Sequence, residues 1–324
     1  MLLQSLIFCA GLTALYYGAE WLIKGATSLA LRFGIRRLVV GLTVVALGTS
    51  MPEFLVNFFA AVSDEDALAL GNIVGSNIAN IALILGMSAL IYPLAVQPTT
   101  LRKEYPMMIL VMGVFYGMSL DGRISQIDGL ILVLGLISFF IYLVLDSRTA
   151  DSRRQVEEEL RAFENGEMSG RIYPVWQKVL FLLGGMIGLS LGARLMVTSA
   201  VNIADLLGIS HVVVGLTVVA VGTSLPELAA SVMCAVRKEP DLSVGNILGS
   251  NLLNVLFVVG LVALIRPLAV DQESIKIHFP VMLGFGLLLY PLARTNYSIS
   301  RLEGGILIAG FVAYMVYLAW PYLN

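Results

Sequence analysis

Charge is what this sequence has least of. Only 13% of its 324 residues are Asp, Glu, Lys or Arg, against roughly a quarter in a typical soluble domain. That is too few to cover a water-soluble globule of this size, so lipid is the solvent for most of the chain. Neither sign is in excess: the net charge is −2 and no domain is basic, which argues against nucleic-acid binding. The two cysteines, Cys9 and Cys234, sit in apolar runs and offer neither a disulfide framework nor metal spacing. Two histidines argue against zinc or haem chemistry. What is abundant is apolar: 58% of residues are hydrophobic and the mean hydropathy is +0.88. Glycine is also plentiful, at 31 residues, as where membrane helices pack closely or break.

Ten segments are long and apolar enough to be read as spans: 2–23, 35–62, 67–91, 105–120, 125–145, 174–200, 209–236, 242–265, 277–293 and 300–320. The first lacks a basic leader and a cleavage site, so it reads as a span and not a signal peptide. The one long polar stretch, 146–173, reads as a solvated cytoplasmic linker joining two halves. Within it Val156, Leu160 and Phe163 are spaced for a short amphipathic helix. Alternate loops carry sixteen Lys and Arg on one side and four on the other. The positive-inside rule makes the sixteen-charge side cytoplasmic and puts both termini outside the cytoplasm, in a multi-pass protein of the cytoplasmic (inner or plasma) membrane.

The chain repeats itself. Gly41-Leu-Thr-Val-Val-Ala-Leu-Gly-Thr-Ser-Met-Pro-Glu-Phe54 recurs as Gly215-Leu-Thr-Val-Val-Ala-Val-Gly-Thr-Ser-Leu-Pro-Glu-Leu228, identical at eleven of fourteen positions. Gly71-Asn-Ile-Val-Gly-Ser-Asn-Ile-Ala-Asn80 recurs as Gly245-Asn-Ile-Leu-Gly-Ser-Asn-Leu-Leu-Asn254, and Pro93-Leu-Ala-Val96 as Pro267-Leu-Ala-Val270. The offset is 174 throughout. Five spans per half, an odd number, turn the second half upside down. The loops agree: Arg36 and Arg37 align with Ser210 and His211, and Ser63-Asp-Glu-Asp66 with Arg237-Lys-Glu-Pro240. The expected fold is an all-α polytopic membrane protein, ten transmembrane helices as two inverted five-helix repeats. Its parts are residues 1–145 (motif 41–80), the linker 146–173, and residues 174–324 (motif 215–254). Inverted repeats with a midplane site mark secondary transporters, although some channels share the plan.

Glu53 and Glu227 lie deep in spans 2 and 7, where a carboxylate costs a few kcal/mol and reads as functional. Together they balance one divalent cation. Pro52 and Pro226 break the helix beside them and free backbone carbonyls, and Thr49, Ser50, Thr223 and Ser224 add hydroxyls. Spans 3 and 8 present Asn72, Ser76, Asn80 and Asn246, Ser250, Asn254 at i, i+4, i+8, one helical stripe each. Asn72 and Asn246 read equally as glue between helices; the other four read as ligands. Gly71, Gly75, Gly245 and Gly249 would allow close helix approach. All these donors are hard oxygens, which select Ca²⁺ and Na⁺ over softer metals. Competition for one site supplies a mechanism for exchange.

These blocks resemble the alpha repeats of the Ca²⁺/cation antiporter superfamily, in the prokaryotic Na⁺/Ca²⁺ exchanger branch. The resemblance implies a core of spans 2, 3, 7 and 8, with spans 1 and 6 moving across it as a gate. It implies that Glu53 and Glu227 share Ca²⁺ with the carbonyls of Thr49 and Thr223. It implies that Na⁺ uses the hydroxyls of Thr49, Ser50, Thr223 and Ser224, together with Ser76, Ser250 and the carbonyls of Ala46 and Ala220. Asn80 and Asn254 would line the centre. Some relatives, potassium-dependent exchangers among them, have aspartate at the place of Asn254; the neutral residue argues against K⁺ cotransport. The implied function is a secondary antiporter exchanging Ca²⁺ for Na⁺ by alternating access, without enzymatic activity, resident cofactor or obligate protein partner. A Ca²⁺/H⁺ antiporter of the same superfamily is the alternative, although that branch carries Gly-Asn-x-x-Glu in place of Gly-Thr-Ser-x-Pro-Glu. A passive cation channel is a further reading. An intramembrane protease lacks a base, since His211 and His278 are near span ends.

Overall fold

In lipid a backbone must satisfy its own polar groups, and a helix does so within one segment. The computed structural model describes residues 1–165, 172–206 and 220–323, without the side chains of 162, 164, 205, 220 and 321–323. Its helices are α1 (Leu2–Phe33), a bent pair α2 (Arg37–Thr49) and α3 (Met51–Val62), α4 (Asp66–Ile91), α5 (Glu104–Ser119) and α6 (Gln126–Asp146). They continue with α7 (Ala150–Glu164), α8 (Val175–Leu206), a short α9 (Ala220–Gly222), α10 (Leu225–Val236), α11 (Pro240–Ile265), α12 (Ser274–Tyr297) and α13 (Arg301–Leu323). Seven of the described helices are long and apolar enough to cross a bilayer, and the α2–α3 pair makes an eighth. The protein is therefore a helical, multi-pass membrane protein. The first part of the expected span 209–236, including His211, lies outside the described residues.

Burial separates the helices into two kinds. In the apolar windows of α4 and α11, 78% and 83% of residues are buried; in α1, α6, α8 and α13 the share is 17–33%. α4 and α11 thus lie at the centre, and α1, α6, α8 and α13 turn leucine, valine and aromatic side chains outward. Gly245 and Gly249 let α11 lie directly on α2: a Cβ at Gly249 would sit 2.6 Å from the carbonyl oxygen of Leu42. The repeat equivalent of that stretch of α2 lies outside the described residues, so the matching role of Gly71 and Gly75 does too. The helices α1 and α8 run antiparallel along a glycine seam, in which Gly18 lies against Gly188 and Leu189, and Gly185 against Leu22.

Two short ribbons tie the halves together. The repeated Pro-Leu-Ala-Val segments form two-residue strands, β1 (Leu94–Ala95) and β3 (Leu268–Ala269). Each pairs antiparallel with a strand of the other half: β1 with β4 (Ser298–Ile299), and β3 with β2 (Arg123–Ile124). The helix interiors also contain π turns, at Gly41–Val45, Asn80–Ile84 and Asn254–Val259. The latter two begin at equivalent asparagines of α4 and α11.

The stretch after α6 departs from the expected solvated linker. Its helix α7 buries Ser152, half-buries Gln155, Val156, Glu159, Leu160 and Phe163, and exposes the other face. The reason is charge. Arg36 and Arg37, at the start of α2, are almost wholly buried and need partners. Arg36 reaches Asp146 at 2.6 Å, Glu104 at 3.3 Å and Gln155 of α7 at 3.1 Å. Arg37 pairs with Glu239, and its backbone N–H donates to Glu159 of α7 at 3.3 Å. Ser152 completes the join through Asp146 at 3.0 Å.

Candidate ion-binding site

The site begins at two matching interruptions. Ser50 leaves helical geometry at φ −85°, ψ 3°, and Ser224 does so at φ −88°, ψ 6°. A proline two residues on cannot donate the next helical hydrogen bond, and α2 and α3 meet at 46°. Each break ends in a new helical first turn that carries the glutamate, Glu53 on α3 and Glu227 on α10. Both glutamates are 1% exposed, and their two carboxyls are near enough to repel each other across the halves.

The surrounding hydroxyls and amides bond across the halves too. Thr49 Oγ1 lies 3.2 Å from Asn246 Oδ1, and its equivalent Thr223 Oγ1 donates to Asn72 Oδ1 at 2.9 Å. Both asparagines therefore join helices, as the glue reading of Asn72 and Asn246 supposes. Ser50 Oγ donates to Glu227 Oε1 at 2.9 Å, and Ser224 Oγ lies 3.2 Å from Ser76 Oγ. Asn80 Nδ2 donates to Asn251 Oδ1 at 3.5 Å, and Asn254 Nδ2 to Asn77 Oδ1 at 3.3 Å. The carbonyl of Ala46 accepts from the Ser50 N–H at 2.9 Å and lies 3.3 Å from the Thr49 hydroxyl. A cation on that oxygen would displace the hydroxyl. Ala220 opens α9; its side chain is outside the described residues.

What is left over defines the chemistry. Both Glu53 oxygens, Glu227 Oε2, Ser250 Oγ, Asn80 Oδ1 and Asn254 Oδ1 are buried and take no hydrogen bond from the described residues. A buried acceptor without a partner costs about 1–3 kcal/mol, more when charged. Among these unpartnered atoms are five carboxylate or amide oxygens and one hydroxyl, with two glutamates to supply negative charge. Such a set suits a hard cation. Asn77 and Asn251, missing from the stripe read in the sequence, are fully buried members of the same network. They follow Ser76 and Ser250 by one residue, about 100° around the helix, so the i, i+4, i+8 pattern passed over them. Their signal was the third letter of Gly-Ser-Asn, identical in both repeats.

The family described as sodium/calcium exchanger protein matches residues 3–145 and 177–320. The chain belongs to that family. It is 36% identical over 321 residues to the putative antiporter CaxA of Alkalimonas amylolytica, covering 98% of this chain and 99% of that one. It is 36% identical over 323 residues to the inner membrane protein YrbG of Escherichia coli, covering 99% and 98% respectively. Among solved structures it resembles the sodium-calcium exchanger NCX_Mj, soaked with zero Na⁺ and Ca²⁺, at a TM-score of 0.80 and 33% identity over 98% of this chain and 99% of that chain.

Proposed function

We propose that the chain exchanges Ca²⁺ for Na⁺ by alternating access at a midplane site between α3, α4, α10 and α11. The observation that carries this reading is the pair of buried glutamates facing each other with free oxygens, one from each repeat. Glu53 and Glu227 hold Ca²⁺ together with the carbonyls of Thr49 and Thr223. Thr49, Ser50, Ser76, Thr223, Ser224 and Ser250, the carbonyls of Ala46 and Ala220, and the amides of Asn80 and Asn254 serve Na⁺ and the centre. Both ions are cargo, and no resident cofactor is required. The glycine-seamed α1–α8 pair is the element that slides across the core.

The same reading divides the chain into five-span halves, 1–145 and 174–324, joined by 146–173 and inverted in a prokaryotic inner membrane with both termini outside. Contacts between loops support it. In that layout β1 and β4 fall on the cytoplasmic side, and β2 and β3 on the opposite side, so each ribbon pairs strands from one side. Arg266 pairs with Asp64, and Arg37 with Glu239, again without crossing the membrane.

The test is uptake of radiolabelled Ca²⁺ into proteoliposomes under outward Na⁺, K⁺ and H⁺ gradients in turn. Uptake driven by Na⁺ alone, with K⁺ dispensable, is expected. Flux that ignores Na⁺ and follows a pH gradient establishes the proton-coupled alternative. Flux that needs no counter-ion and does not saturate establishes a channel.

A further inference from the structure

Asn80 and Asn254 can help or hinder a cation, because an amide has one end of each kind: its oxygen attracts and its NH₂ repels. Something has to set which end points inward. In each case the NH₂ is occupied by another asparagine. Asn80 Nδ2 gives one of its two hydrogens to Asn251 Oδ1, and Asn254 Nδ2 gives one of its own to Asn77 Oδ1. This leaves Asn80 Oδ1 and Asn254 Oδ1 as the buried ends without a protein partner.

The orientation of Asn77 and Asn251 is fixed in turn. Asn251 Nδ2 points at Met108 Sδ, 3.6 Å away on α5, and Asn77 Nδ2 at Met282 Sδ, 3.7 Å away on α12. A thioether accepts hydrogen bonds and cannot donate them. The amide edge facing the sulfur must therefore be NH₂, and the edge facing Asn80 or Asn254 must be oxygen. All four asparagines and both methionines are at most 1% exposed, so no bulk water competes for these edges. The arrangement occurs twice: Met108 and Met282 differ by the repeat offset of 174, and each stands two residues after a proline, Pro106 or Pro280. A methionine chosen only to fill space need not place its sulfur against an asparagine in both halves.

We propose that Met108 with Asn251, and Met282 with Asn77, are positioning residues that hold the amide oxygens of Asn80 and Asn254 toward the transported cation. None of the four touches the ion. The chain of contacts runs from α5 through α11 to α4, and from α12 through α4 to α11. This inference rests on the exchange reading above for the identity of the cation.

Met108→Leu keeps the volume and removes the acceptor, which frees Asn251 to turn over and present NH₂ to Asn80. We expect the KM for Ca²⁺, and the half-saturating Na⁺, to rise about tenfold, the worth of roughly one hydrogen bond to a critical group. Turnover at saturation should stay within about twofold, since the lost interaction is one that ground and transition states share, and losing such binding raises KM without lowering turnover. Met108→Gln, whose side-chain carbonyl can accept, should restore most of the affinity. In an Asn251→Leu background, Met108→Leu should cost nothing more. Met282→Leu and Met282→Gln supply the same comparison if an Asn251 variant does not fold, as judged by its melting temperature in detergent. An unchanged KM in Met108→Leu, a Gln variant as weak as the Leu variant, or a penalty that persists without Asn251 would overturn the proposal. Equilibrium binding of radiolabelled Ca²⁺ to purified protein reads the same variants without transport. A Leu–Gln difference in binding, with no Na⁺-driven flux in the wild type, would remove the exchange reading and leave the positioning role standing.

Discussion

The two halves share their motifs almost letter for letter, yet they do not bond alike. In the first, Ser50 donates its hydroxyl hydrogen to Glu227 of the other half. Strict symmetry would have Ser224 do the same to Glu53, and instead Ser224 meets Ser76. Glu53 is left with two free oxygens and Glu227 with one. The two faces differ as well. Near the linker, Arg36 and Arg37 gather the buried Glu104, Asp146 and Glu239 and the half-buried Glu159 into one cluster. On the other side Arg266 meets Asp64, a carboxylate that is 80% exposed. Equal sequence thus fixes which atoms reach the site, and the bonding of the moment decides which are free.

The glutamates should show the largest effect. Glu53→Gln and Glu227→Gln should each abolish Na⁺-dependent Ca²⁺ uptake, despite their unequal hydrogen bonding. Either change leaves one carboxylate against a divalent ion, and losing a charged partner in a dry site costs about 3–5 kcal/mol. A folded variant that transports normally would show that the halves do not share one ion. The two faces should differ next in stability. Arg37→Met leaves Glu239 buried without its cation, a loss read as a lowered melting temperature at pH 8, where that carboxyl is ionised. Arg266→Gln, at the exposed pair, should cost roughly 0–1 kcal/mol. Similar costs would mean that burial does not distinguish the faces.

The smallest effect concerns pH. Burial raises the Glu159 carboxyl to about 7, with repulsion from Asp241 adding to it and Arg37 opposing. Burial likewise raises Glu239 to about 7, against Arg37. A released α7 would return Glu159 toward its ordinary value of 4.5. The docked form therefore binds more protons between those values, and docking strengthens as pH falls from 8 through 7. Hydrogen exchange over 150–164, corrected for its intrinsic pH dependence, should be slower at pH 6 than at pH 8. The reverse order would mean that the attraction of Arg37 outweighs burial.

Much of this was legible in the sequence because it is carried by identity at a fixed offset. The breaks at Pro52 and Pro226 and the glutamates after them follow from local chemistry repeated twice, and the central place of α4 and α11 from the family resemblance. The remainder is non-local. Nothing near Arg36 or Arg37 states that α7, more than a hundred residues later, will dock there, because a buried arginine is indistinguishable from a positive-inside loop residue until its partners are placed. Asn77 and Asn251 escaped because their function depends on methionines 205 and 143 positions away. The π turns left no trace in hydropathy, since one extra residue in a turn changes no composition.

Those π turns have a consequence for how the chain tolerates change. A π turn holds one residue more than an α turn, and each helical residue advances the phase by about 100°. The turn at Asn80–Ile84 therefore divides α4 into two rotational frames. Before it the frame aims Ser76 and Asn77 at the other half; after it the frame aims Gly86 at the backbone of Gly304 on α13, where a Cβ would lie only 2.9 Å from the carbonyl oxygen. Removing a single residue from 81–84 would restore an ordinary helix with every side chain chemically intact. It would also swing Gly86 out of that contact and bring a bulkier neighbour into it. The segment is in this sense written in a shifted reading phase, forgiving of apolar exchanges and intolerant of a change in count.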